Sequence, residues 1–575
     1  MVDSTKSRTR YVPRPSLIAR LLSFGLAASL SLFGCSASKE IAAITYTCET
    51  SPELSPAPGD GTVCGAGDPN LEGMEPHFPT TVCQTLSATR FASDSSPPSE
   101  DTLDTTLIQQ ALDSCRTAQL DATGAVIRPA GAVKLVANGT NNAFVAGQIR
   151  VQSQTLWVDA GVTLYASRNP DVFQIPGNTC GAIGLNDSKA CLNFVEVSGN
   201  KPAIMGDGII DGQGGEPLIG HEYSWWELSY ALREVDGSLG NPTLINLNGG
   251  TNGFVLYRIT LHNSPKFHVK LTSILPADAP TCVRRGQGFT VWGVTVLTPS
   301  KWFNSRGVQL TPSLARNTDG IDPGSGSDTE CGLMACNTIS TGDDHIAFKG
   351  GHRVTDVTIA HNHFGTGHGM SIGSETYGLG IENIDIYDLT IDADSRPVGS
   401  DAQAADFNGI RVKSDESRGG PVNNITYRDI CMRDMNNAIL LSTAYNPLFA
   451  GTDYPVFGAM SFQNVHHVTC KALRSPVVTL NGFNAIRSAG PFSFDNVHID
   501  NTGPFSASAQ FSSIVLGPRE VSFGDSLVAL SQNSTPEGGR GLSVTDSRDP
   551  SQASPPRKCV FPTLPAPKPP AGWTW

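Results

Sequence analysis

The chain has 575 residues and a formal net charge of −13 at pH 7, which argues against a nucleic acid as its partner. Its 59 glycines and 39 prolines, with only 16% charged residues, favour a turn-rich β protein over a helical one. This charge does not exclude an anionic ligand, because a few cations in a cleft can outweigh the field of the whole surface.

The N-terminus has the pattern of an export signal. Several basic residues precede an apolar run at 21–33 that is too short to span a bilayer. The run ends in Leu-Phe-Gly-Cys at 32–35, which resembles a bacterial lipobox with Cys35 as the lipidated residue. We therefore expect 1–35 to be a signal peptide and the protein to be secreted or anchored by lipid at the outer membrane or cell surface.

Residues 36–80 are rich in proline, glycine and serine, which predicts a tether or a loosely packed leader. Apolar residues at helical spacing then predict one helix over 101–115. Short strand-like segments follow to about residue 500, for example at 254–261 and 384–391. Their periodicity alone would also allow a sandwich or a propeller.

Four polar islands interrupt these segments: Asn-Thr-Asp-Gly at 317–320, Gly-Asp-Asp-His at 342–345, Gly-His-Gly at 367–369 and Arg-Val-Lys at 411–413. Asp319 and Asp343 are 24 residues apart, and so are Asp344 and His368. A fixed spacing of this length is typical of a solenoid with one coil per repeat. We predict an all-β fold, a parallel β-helix over 81–545, capped by the helix at 101–115 and followed by a Pro-rich surface tail at 546–575.

Residues one coil apart lie side by side, at the ~4.8 Å spacing of adjacent strands. Asp319, Asp343 and Asp344 would then line one patch. Hydrolysis of a glycosidic bond needs a carboxylic acid and a carboxylate base, which inverting enzymes hold roughly 6.5–9.5 Å apart. Both adjacent aspartates can enter the cleft only if the chain bends after Gly342.

The remaining islands provide one histidine and two cations. His368 lies between glycines that leave room for a ligand, and Arg411 and Lys413 share one strand face, where they would suit a carboxylate-bearing sugar. Each island alone is a weak signal, since turns, calcium loops and solvated strands have similar sequences. Their order at one-coil intervals makes a coincidence hard to accept.

The 13 cysteines fit an oxidising compartment, with connectivity that the sequence does not fix. Pairs close in sequence are Cys48–Cys64, Cys83–Cys115, Cys180–Cys191 and Cys331–Cys336. Buried free thiols are the alternative for any pair. No cysteine has zinc-site spacing with histidines, so we expect no metal and no cofactor.

The four islands together resemble glycoside hydrolase family 28, the polygalacturonase family of right-handed parallel β-helices. The resemblance runs from about Cys83 to about residue 500 and includes Ser-Trp-Trp at 224–226 and Asn-Ser-Pro at 263–265. It is strongest with the endo-polygalacturonases of pectin-degrading bacteria. It implies a monomeric, single-stranded β-helix that hydrolyses α-1,4-galacturonosidic bonds of de-esterified pectin, with inversion and in endo mode.

By this resemblance, Asp343 would be the general acid, and Asp319 and Asp344 would hold and activate the water. His368 would tune the protonation of the acid or orient the substrate. Which of the adjacent aspartates, Asp343 or Asp344, donates the proton stays open.

The resemblance also assigns the substrate-binding residues. Arg411 and Lys413 would bind the galacturonate carboxylate at the cleaved bond, and Tyr445 would line that subsite. His345 stands where the family has a small residue or asparagine, and we interpret it as a packing residue or a modest subsite contact. Segments that look like insertions, and that leave exo action as an alternative, lie at 272–285, 301–309 and 393–407.

Two other classes of function share the β-helix. A pectate lyase would need calcium and an arginine base, and would not require three acids with a histidine. A non-catalytic pectin-binding β-helix would be expected to lose the carboxylates. Rhamnogalacturonan hydrolysis is chemically close, but His368 and the Arg-Val-Lys island favour galacturonate.

Overall fold

The structure is a computed structural model that describes residues 64–93, 96–117, 119–120, 126–128, 131–182, 190–235, 240–272, 282, 284–324, 326, 328–393, 407–445, 451–470, 476–500, 506–532 and 541–569. They all belong to one compact unit. The predicted signal peptide with Cys35, and residues 36–63 of the predicted leader, lie outside the described residues. Within the described ranges, no helix has the length and apolar character needed to cross a membrane.

Short strands are the predominant secondary structure of the described chain, accompanied by a few helices. Before the first polar island the strands are β1 (Val82–Ser87), β2 (Gln119–Leu120), β3 (Val126–Arg128), β4 (Ala132–Val136), β5 (Ala143–Ala146), β6 (Ile149–Gln152), β7 (Thr155–Val158), β8 (Thr163–Ala166), β9 (Val195–Ser198), β10 (Ala203–Met205), β11 (Ile209–Asp211), β12 (Ile245–Leu247), β13 (Phe254–Tyr257), β14 (Thr260–His262), β15 (Val269–Leu271), β16 (Phe289–Trp292) and β17 (Thr295–Leu297).

After that island, several of the strands are longer. They are β18 (Ile321–Pro323), β19 (Thr329–Glu330), β20 (Gly332–Ala335), β21 (Thr338–Ser340), β22 (Ile346–Phe348), β23 (Arg353–Phe364), β24 (Met370–Ile372), β25 (Gly380–Asp392), β26 (Asn408–Lys413), β27 (Pro421–Arg433), β28 (Asn437–Ser442), β29 (Val456–Phe457), β30 (Met460–Val468), β31 (Val477–Asn481), β32 (Ala489–Ile499), β33 (Ser506–Gln510), β34 (Ser512–Leu516) and β35 (Ser543–Asp546). The helices are α1 (Thr105–Ser114), α2 (Trp225–Val235) and α3 (Gly524–Gln532), with 3-10 turns at Pro170–Phe173 and Pro550–Gln552.

Nearly all of these strands belong to two long parallel sheets. The larger has 22 strands and the smaller has 11, in the order β33-β31-β28-β26-β24-β22-β18-β15-β12-β9-β6. Neighbours in the smaller sheet are one coil of chain apart: Ile321 lies opposite Ile346, and Ile346 opposite Met370. The predicted all-β parallel β-helix is confirmed.

The larger sheet bends at corners where one residue has a positive φ. This left-handed conformation turns the chain without ending the hydrogen-bonded ladder, and asparagine and aspartate adopt it more readily than most residues. Corners of this kind lie at Arg258, Gly293, Cys336, His361, Asp388, Asp429, Asn464 and Asn496. The corner side chains stack from coil to coil, and Asn464 donates to Asp429 at 3.1 Å.

The interior between the sheets is filled by stacked apolar side chains. Tyr427, Phe462 and Phe494 stack with ring centroids 5.1 and 4.7 Å apart. At the N-terminal end, α1 packs on β4 and β6 through Ile108, Ala111 and Leu112, so the predicted capping helix is confirmed. It begins at Thr105 rather than at residue 101, because Asp104 is engaged by the backbone N–H of Val145 at 2.9 Å.

The sequence predicted one convincing helix, but α2 and α3 are also present. Ser224 and Glu227 form a capping box at the start of α2: the Ser224 hydroxyl accepts from the Glu227 N–H at 3.2 Å, and the Glu227 carboxylate accepts from the Ser224 N–H at 2.7 Å. The Ser-Trp-Trp-Glu motif therefore carried the signal for this helix. Trp225 and Trp226 are both fully buried.

The described part of the predicted leader, 64–80, lies against the larger sheet rather than forming a loose tether. Cys64 forms a disulfide with Cys336, and the Phe78 ring stacks on Trp157 at 4.9 Å. Leu71 is buried in the same contact. These apolar side chains give the segment surface to bury, so it packs despite its composition.

Two of the predicted disulfides are confirmed and two are wrong. Cys83–Cys115 and Cys180–Cys191 are present, whereas Cys64 pairs with Cys336 and Cys331 pairs with Cys282. The pairs Cys48–Cys64 and Cys331–Cys336 are thereby excluded. Cys331 and Cys336 flank strand β20, and an extended strand of that length holds its ends roughly 15 Å apart, beyond the reach of a disulfide.

The described part of the predicted tail, 546–569, is fixed along the outside of the β-helix. Cys559 forms a disulfide with Cys431. The Arg557 guanidinium bridges two corner carboxylates, Asp388 at 2.7 Å and Asp429 at 3.1 Å. The corner row of the larger sheet therefore holds residues near both ends of the described chain.

His361, in that corner row, should make stability depend on pH. Its ring nitrogens face Asp68 at 3.0 Å and Asp388 at 2.6 Å. Burial opposes the imidazolium, but the two carboxylates outweigh burial and raise the pKa of His361. The stabilisation is then fully present below the unfolded-state pKa of about 6.5 and is lost as pH rises through the folded-state value.

We expect His361→Gln to lower the Tm more at about pH 5.5 than at about pH 9. Asp68, whose pKa is lowered to about 2, stays ionised across this range. The measurement is thermal unfolding followed by circular dichroism at both pH values. His352→Gln, at an exposed histidine, is the control. The same Tm difference at both pH values would contradict this assignment.

Candidate active site

The four polar islands meet at one edge of the smaller sheet. The register of β18, β22 and β24 places Asp319, Asp344 and His368, each two residues before the aligned positions, next to one another on successive coils. Arg411 lies on β26, opposite Ser371 of β24. The coil spacing inferred from the sequence therefore brings the predicted residues together.

Gly342 allows both aspartates of the second island to enter the site. The chain bends at Gly342 and Asp343, and β22 starts only at Ile346. A Cβ on Gly342 would lie 2.0 Å from the carbonyl oxygen of Ala315, so no other residue fits there. The predicted bend is confirmed.

Asp343 and His368 form a hydrogen-bonded pair at the surface of the site. His368 Nδ1 lies 3.0 Å from Asp343 Oδ1, and the Asn317 N–H donates to Oδ2 at 3.1 Å. Burial alone would raise the pKa of Asp343, but His368 holds it below its ordinary range. The side chains are 20% and 28% exposed, so a ligand can reach both.

Asp344 lies behind this pair and contacts two cations. Its carboxylate accepts from the Arg411 guanidinium, from Lys413 Nζ at 2.9 Å and from Ser371 Oγ at 2.8 Å. Burial would raise the pKa of Asp344, yet Arg411 and Lys413 hold it well below the ordinary value. Asp344 is therefore a fixed anion with only 1% of its side chain exposed.

Asp319 has the opposite electrostatic environment. Its carboxylate is buried, and Oδ1 has no hydrogen-bond partner within the described chain. Burial, followed by the neighbouring Asp322 and Asp343, raises the pKa of Asp319 well above its ordinary value, although Lys349 Nζ lies 3.7 Å from Oδ2. One aspartate of this site therefore has a raised pKa, whereas the other two have lowered pKa values.

Two charged residues of this site escaped the sequence analysis. Asp322 is buried, neither of its oxygens has a hydrogen-bond partner among the described residues, and burial raises its pKa to about 7 against the opposing effect of Lys349. Lys349 also lies 3.7 Å from Glu375. A lysine directly after the apolar Ile-Ala-Phe of β22 was the available signal, because a charge in a buried strand is rare without a partner.

His345 is a packing residue, which was one of the two interpretations of it from the sequence. It is fully buried and stacks on Phe364 with ring centroids 4.7 Å apart. Its Nδ1 accepts from the Gly369 N–H at 3.1 Å, which leaves Nε2–H to donate to the Gly365 carbonyl at 3.0 Å. Burial lowers the pKa of His345 to about 4, so the ring stays neutral and holds the loop that carries His368.

Tyr445 completes the set of predicted residues. Lys413 Nζ lies 5.1 Å from the centroid of its ring, and 44% of Tyr445 is exposed.

Among the segments interpreted as insertions, 273–281 and 394–406 lie outside the described residues. The remaining segment, 301–309, packs against the turn before α2, where the Asn304 side chain donates to the Gly215 carbonyl at 3.0 Å.

Asp343, Asp344 and His368 could by distance hold a metal ion, since each offers a ligand atom and these atoms lie within 4.8 Å of one another. Their present partners argue against a divalent cation. The charge of Asp344 is already neutralised by Arg411 and Lys413, and these two cations would repel a metal ion. The arrangement instead suits protonation chemistry next to an anionic ligand.

We expect His345→Ala to destabilise the protein by about 2–4 kcal/mol, because it opens a cavity and leaves two backbone groups without partners. Turnover should fall as well, since the loop that carries His368 loses its support. Urea unfolding and steady-state kinetics measure the two effects. The exposed His352→Ala is the control and should change stability by less than about 0.5 kcal/mol. Wild-type stability in His345→Ala would show that the ring is not a structural support.

Comparisons with known proteins point to one family. The family model described as glycosyl hydrolases family 28 matches residues 143–515. The chain is 35% identical to a polygalacturonase of Ralstonia nicotianae over 75% of this chain and 80% of that protein. It is 34% identical to an endo-polygalacturonase of Pectobacterium carotovorum subsp. carotovorum over 70% of this chain and 88% of that one.

A solved structure supports the same relationship. The polygalacturonase from Erwinia carotovora ssp. carotovora aligns with a TM-score of 0.58 and 30% identity, over 76% of this chain and 98% of that chain. An exopolygalacturonase from Thermotoga maritima, at 15% identity and a TM-score of 0.51, shares the fold. Because the family model spans more than half of the sequence, the chain belongs to glycosyl hydrolases family 28.

Proposed function

We propose that this protein is a polygalacturonase that hydrolyses α-1,4-galacturonosidic bonds of de-esterified pectin, with inversion and in endo mode. One observation carries the proposal: three carboxylates of different proton affinity lie beside a cation pair, Arg411 and Lys413, in one site. Relatives named polygalacturonase and endo-polygalacturonase support the same activity.

Asp343 protonates the leaving oxygen in this proposal. It is the most exposed of the three catalytic carboxylates, with 20% of its side chain accessible against 4% for Asp319 and 1% for Asp344. In the free protein the contact with His368 favours the ionised form of Asp343. A bound polyanion disfavours another carboxylate charge and excludes water, which raises the pKa of Asp343 and favours the protonated form that can act as the acid.

Asp319 accepts the proton of the attacking water. Lys349, 3.7 Å from Oδ2, favours the ionised form that can act as the base. A raised pKa makes that ionised carboxylate a stronger base, and its free Oδ1 provides an acceptor position within the site. Asp344 remains ionised and helps to hold the water by electrostatic attraction. This divides between two residues a role that the family resemblance assigned jointly to Asp319 and Asp344.

Arg411 and Lys413 bind the galacturonate carboxylate at the cleaved bond. In the free protein both contact Asp344, so substrate must share these cations with a buried anion. The planar guanidinium has donors in excess of those used by Asp344 and Ser371, which permits sharing. The exposed Tyr445 ring, beside Lys413, provides a flat surface for a sugar.

The lyase alternative is disfavoured by the surroundings of Arg411. A lyase base must be a neutral arginine, but the Asp344 carboxylate outweighs burial and raises the pKa of Arg411. A guanidinium held charged in this way cannot remove a proton. The pectin-binding alternative is disfavoured by the retention of all three carboxylates.

Export, a lipid anchor at Cys35 and a monomeric state are further parts of the proposal. The five disulfides described in the structure support an oxidising compartment, because such bonds rarely persist in the cytosol. The lipobox-like sequence at 32–35 supports lipidation.

We expect incubation with polygalacturonate and chelator to release reducing ends without absorbance from unsaturated ends. Both signals are measured in the same sample over time. Product sizes that remain broad early in the reaction support endo action, whereas monomer or dimer alone supports exo action. Unsaturated products would identify a lyase, and the absence of both signals would leave only a binding function.

Asp343→Asn should lower kcat by roughly 10²–10⁴-fold, because the amide cannot donate the proton. The Kd for oligogalacturonate should stay close to that of the wild type, since the substrate cations are unchanged. Kinetics and isothermal titration calorimetry measure the two quantities. Asp207→Asn, at an exposed aspartate paired with Arg258, is the matched control. Wild-type turnover in Asp343→Asn would refute its role as the acid.

A further inference from the structure

A second pair of cations lies beside the carboxylates, on the coil before Asp319. Lys270 of β15 is opposite Asp322 of β18, and the same register places Lys266 opposite Thr318. The His268 N–H donates to the Asp319 carbonyl at 2.8 Å, which fixes this coil directly against the first polar island. The predicted motifs did not include these lysines.

Both lysines project toward the side of the sheet that carries the site. Val269 and Leu271 are fully buried in the core, so strand alternation directs Lys270 to the opposite face. Lys266 is partly buried, and its Nζ lies 4.9 Å from the centroid of the Phe267 ring. Among its charged neighbours are Lys270, Asp319 and Asp322.

The electrostatics of this pair repeat those of Arg411 and Lys413. Burial and then the neighbouring Lys270 lower the pKa of Lys266, against the opposing effect of Asp319 and Asp322. Burial and then Arg411 lower the pKa of Lys413, against the opposing effect of Asp344. In both places two like charges are held together beside aspartates, and an added anion would relieve their repulsion.

The two cation pairs lie on opposite sides of the carboxylates. Strand β15 is separated from β26 by three strands, β18, β22 and β24, so their backbones are roughly 19 Å apart. A polygalacturonate chain has one carboxylate on every sugar, and a chain lying along the sheet would present several of them over this distance. The spacing therefore suits one extended polyanion rather than two small ligands.

The row of cations is interrupted on both sides. Beyond Lys270 the register continues to Asn246 and Glu196, and the next cation, Arg150, lies only on the outermost strand β6. Beyond Lys413 it continues to uncharged side chains at Ser442, Asn481 and Gln510. The cations thus select for carboxylates over a limited part of the sheet.

We propose that Lys266 and Lys270 form a second carboxylate-binding subsite, which holds another galacturonate of the substrate across the catalytic carboxylates from Arg411 and Lys413. The inference rests on the proposed function, because it takes the ligand to be polygalacturonate. The subsite favours de-esterified chains, since a methyl ester removes the charge that the lysines bind.

Single and double Lys→Gln variants at both positions test this subsite. The probes are oligogalacturonates of defined length and their methyl-esterified counterparts. Loss of a charge-assisted hydrogen bond should reduce kcat/KM on long de-esterified chains by about 10-fold or more, with a smaller change in kcat. The reduction should shrink on the shortest chain that is cleaved and on esterified chains. Lys270→Arg keeps the positive charge and should retain most of the kcat/KM that Lys270→Gln loses.

Lys134→Gln is the matched control, because Lys134 lies on the larger sheet and pairs with Asp159. Thermal unfolding of every variant checks that the fold is retained. An equal loss on all chain lengths and ester states, or no loss on the longest chain, would overturn the subsite.

A binding experiment separates this inference from the proposed function. In an Asp343→Asn background, calorimetry measures the Kd for polygalacturonate with and without the two lysines, and we expect binding to weaken about 10-fold or more when they are replaced. If the wild type releases no reducing ends but binding weakens in this way, the hydrolase proposal fails and the subsite stands. If hydrolysis is present and binding does not change, the subsite alone is refuted.

Discussion

The hydrogen-bond register of the smaller parallel sheet is the constraint on which the site depends. It places residues of successive coils side by side, so groups that are about one coil apart in sequence become neighbours at strand spacing. Among the described residues, this register alone brings the functional groups together. A slip of one residue would turn the side chains of one coil to the opposite face. Because such a slip would also expose the apolar side chains of that coil, the buried core fixes the geometry of the site.

Within this frame, neighbouring charges give identical side chains different properties. Asp344 lies between two cations and stays ionised, whereas Asp319 is buried beside other acids and binds a proton more readily. The pKa of Asp343 is also lowered, by His368, but Asp343 lies at the surface. The division of labour among three aspartates therefore follows from their partners and burial, and not from their chemistry alone.

Much of this site could be predicted from the sequence because its groups recur at the coil repeat. Asp319, Asp343, Asp344, His368, Arg411 and Lys413 all lie together in the structure, and Tyr445, which only the family resemblance indicated, lies beside Lys413. Asp322 and Lys349 were missed because their significance depends on burial and on one another, which a motif does not show. The predicted partner of Cys331 was wrong for a related reason, because two cysteines close in sequence lie far apart when an extended strand separates them.

The cross-links of the chain have a mechanical consequence. Cys64 joins Cys336 and Cys559 joins Cys431, so both terminal segments are fastened to the flank of the solenoid and not to its end coils. Tension on either segment is therefore transmitted to coils in the middle of the stack, where many parallel hydrogen bonds share the load. Peeling the solenoid strand by strand from an end would require a force applied elsewhere.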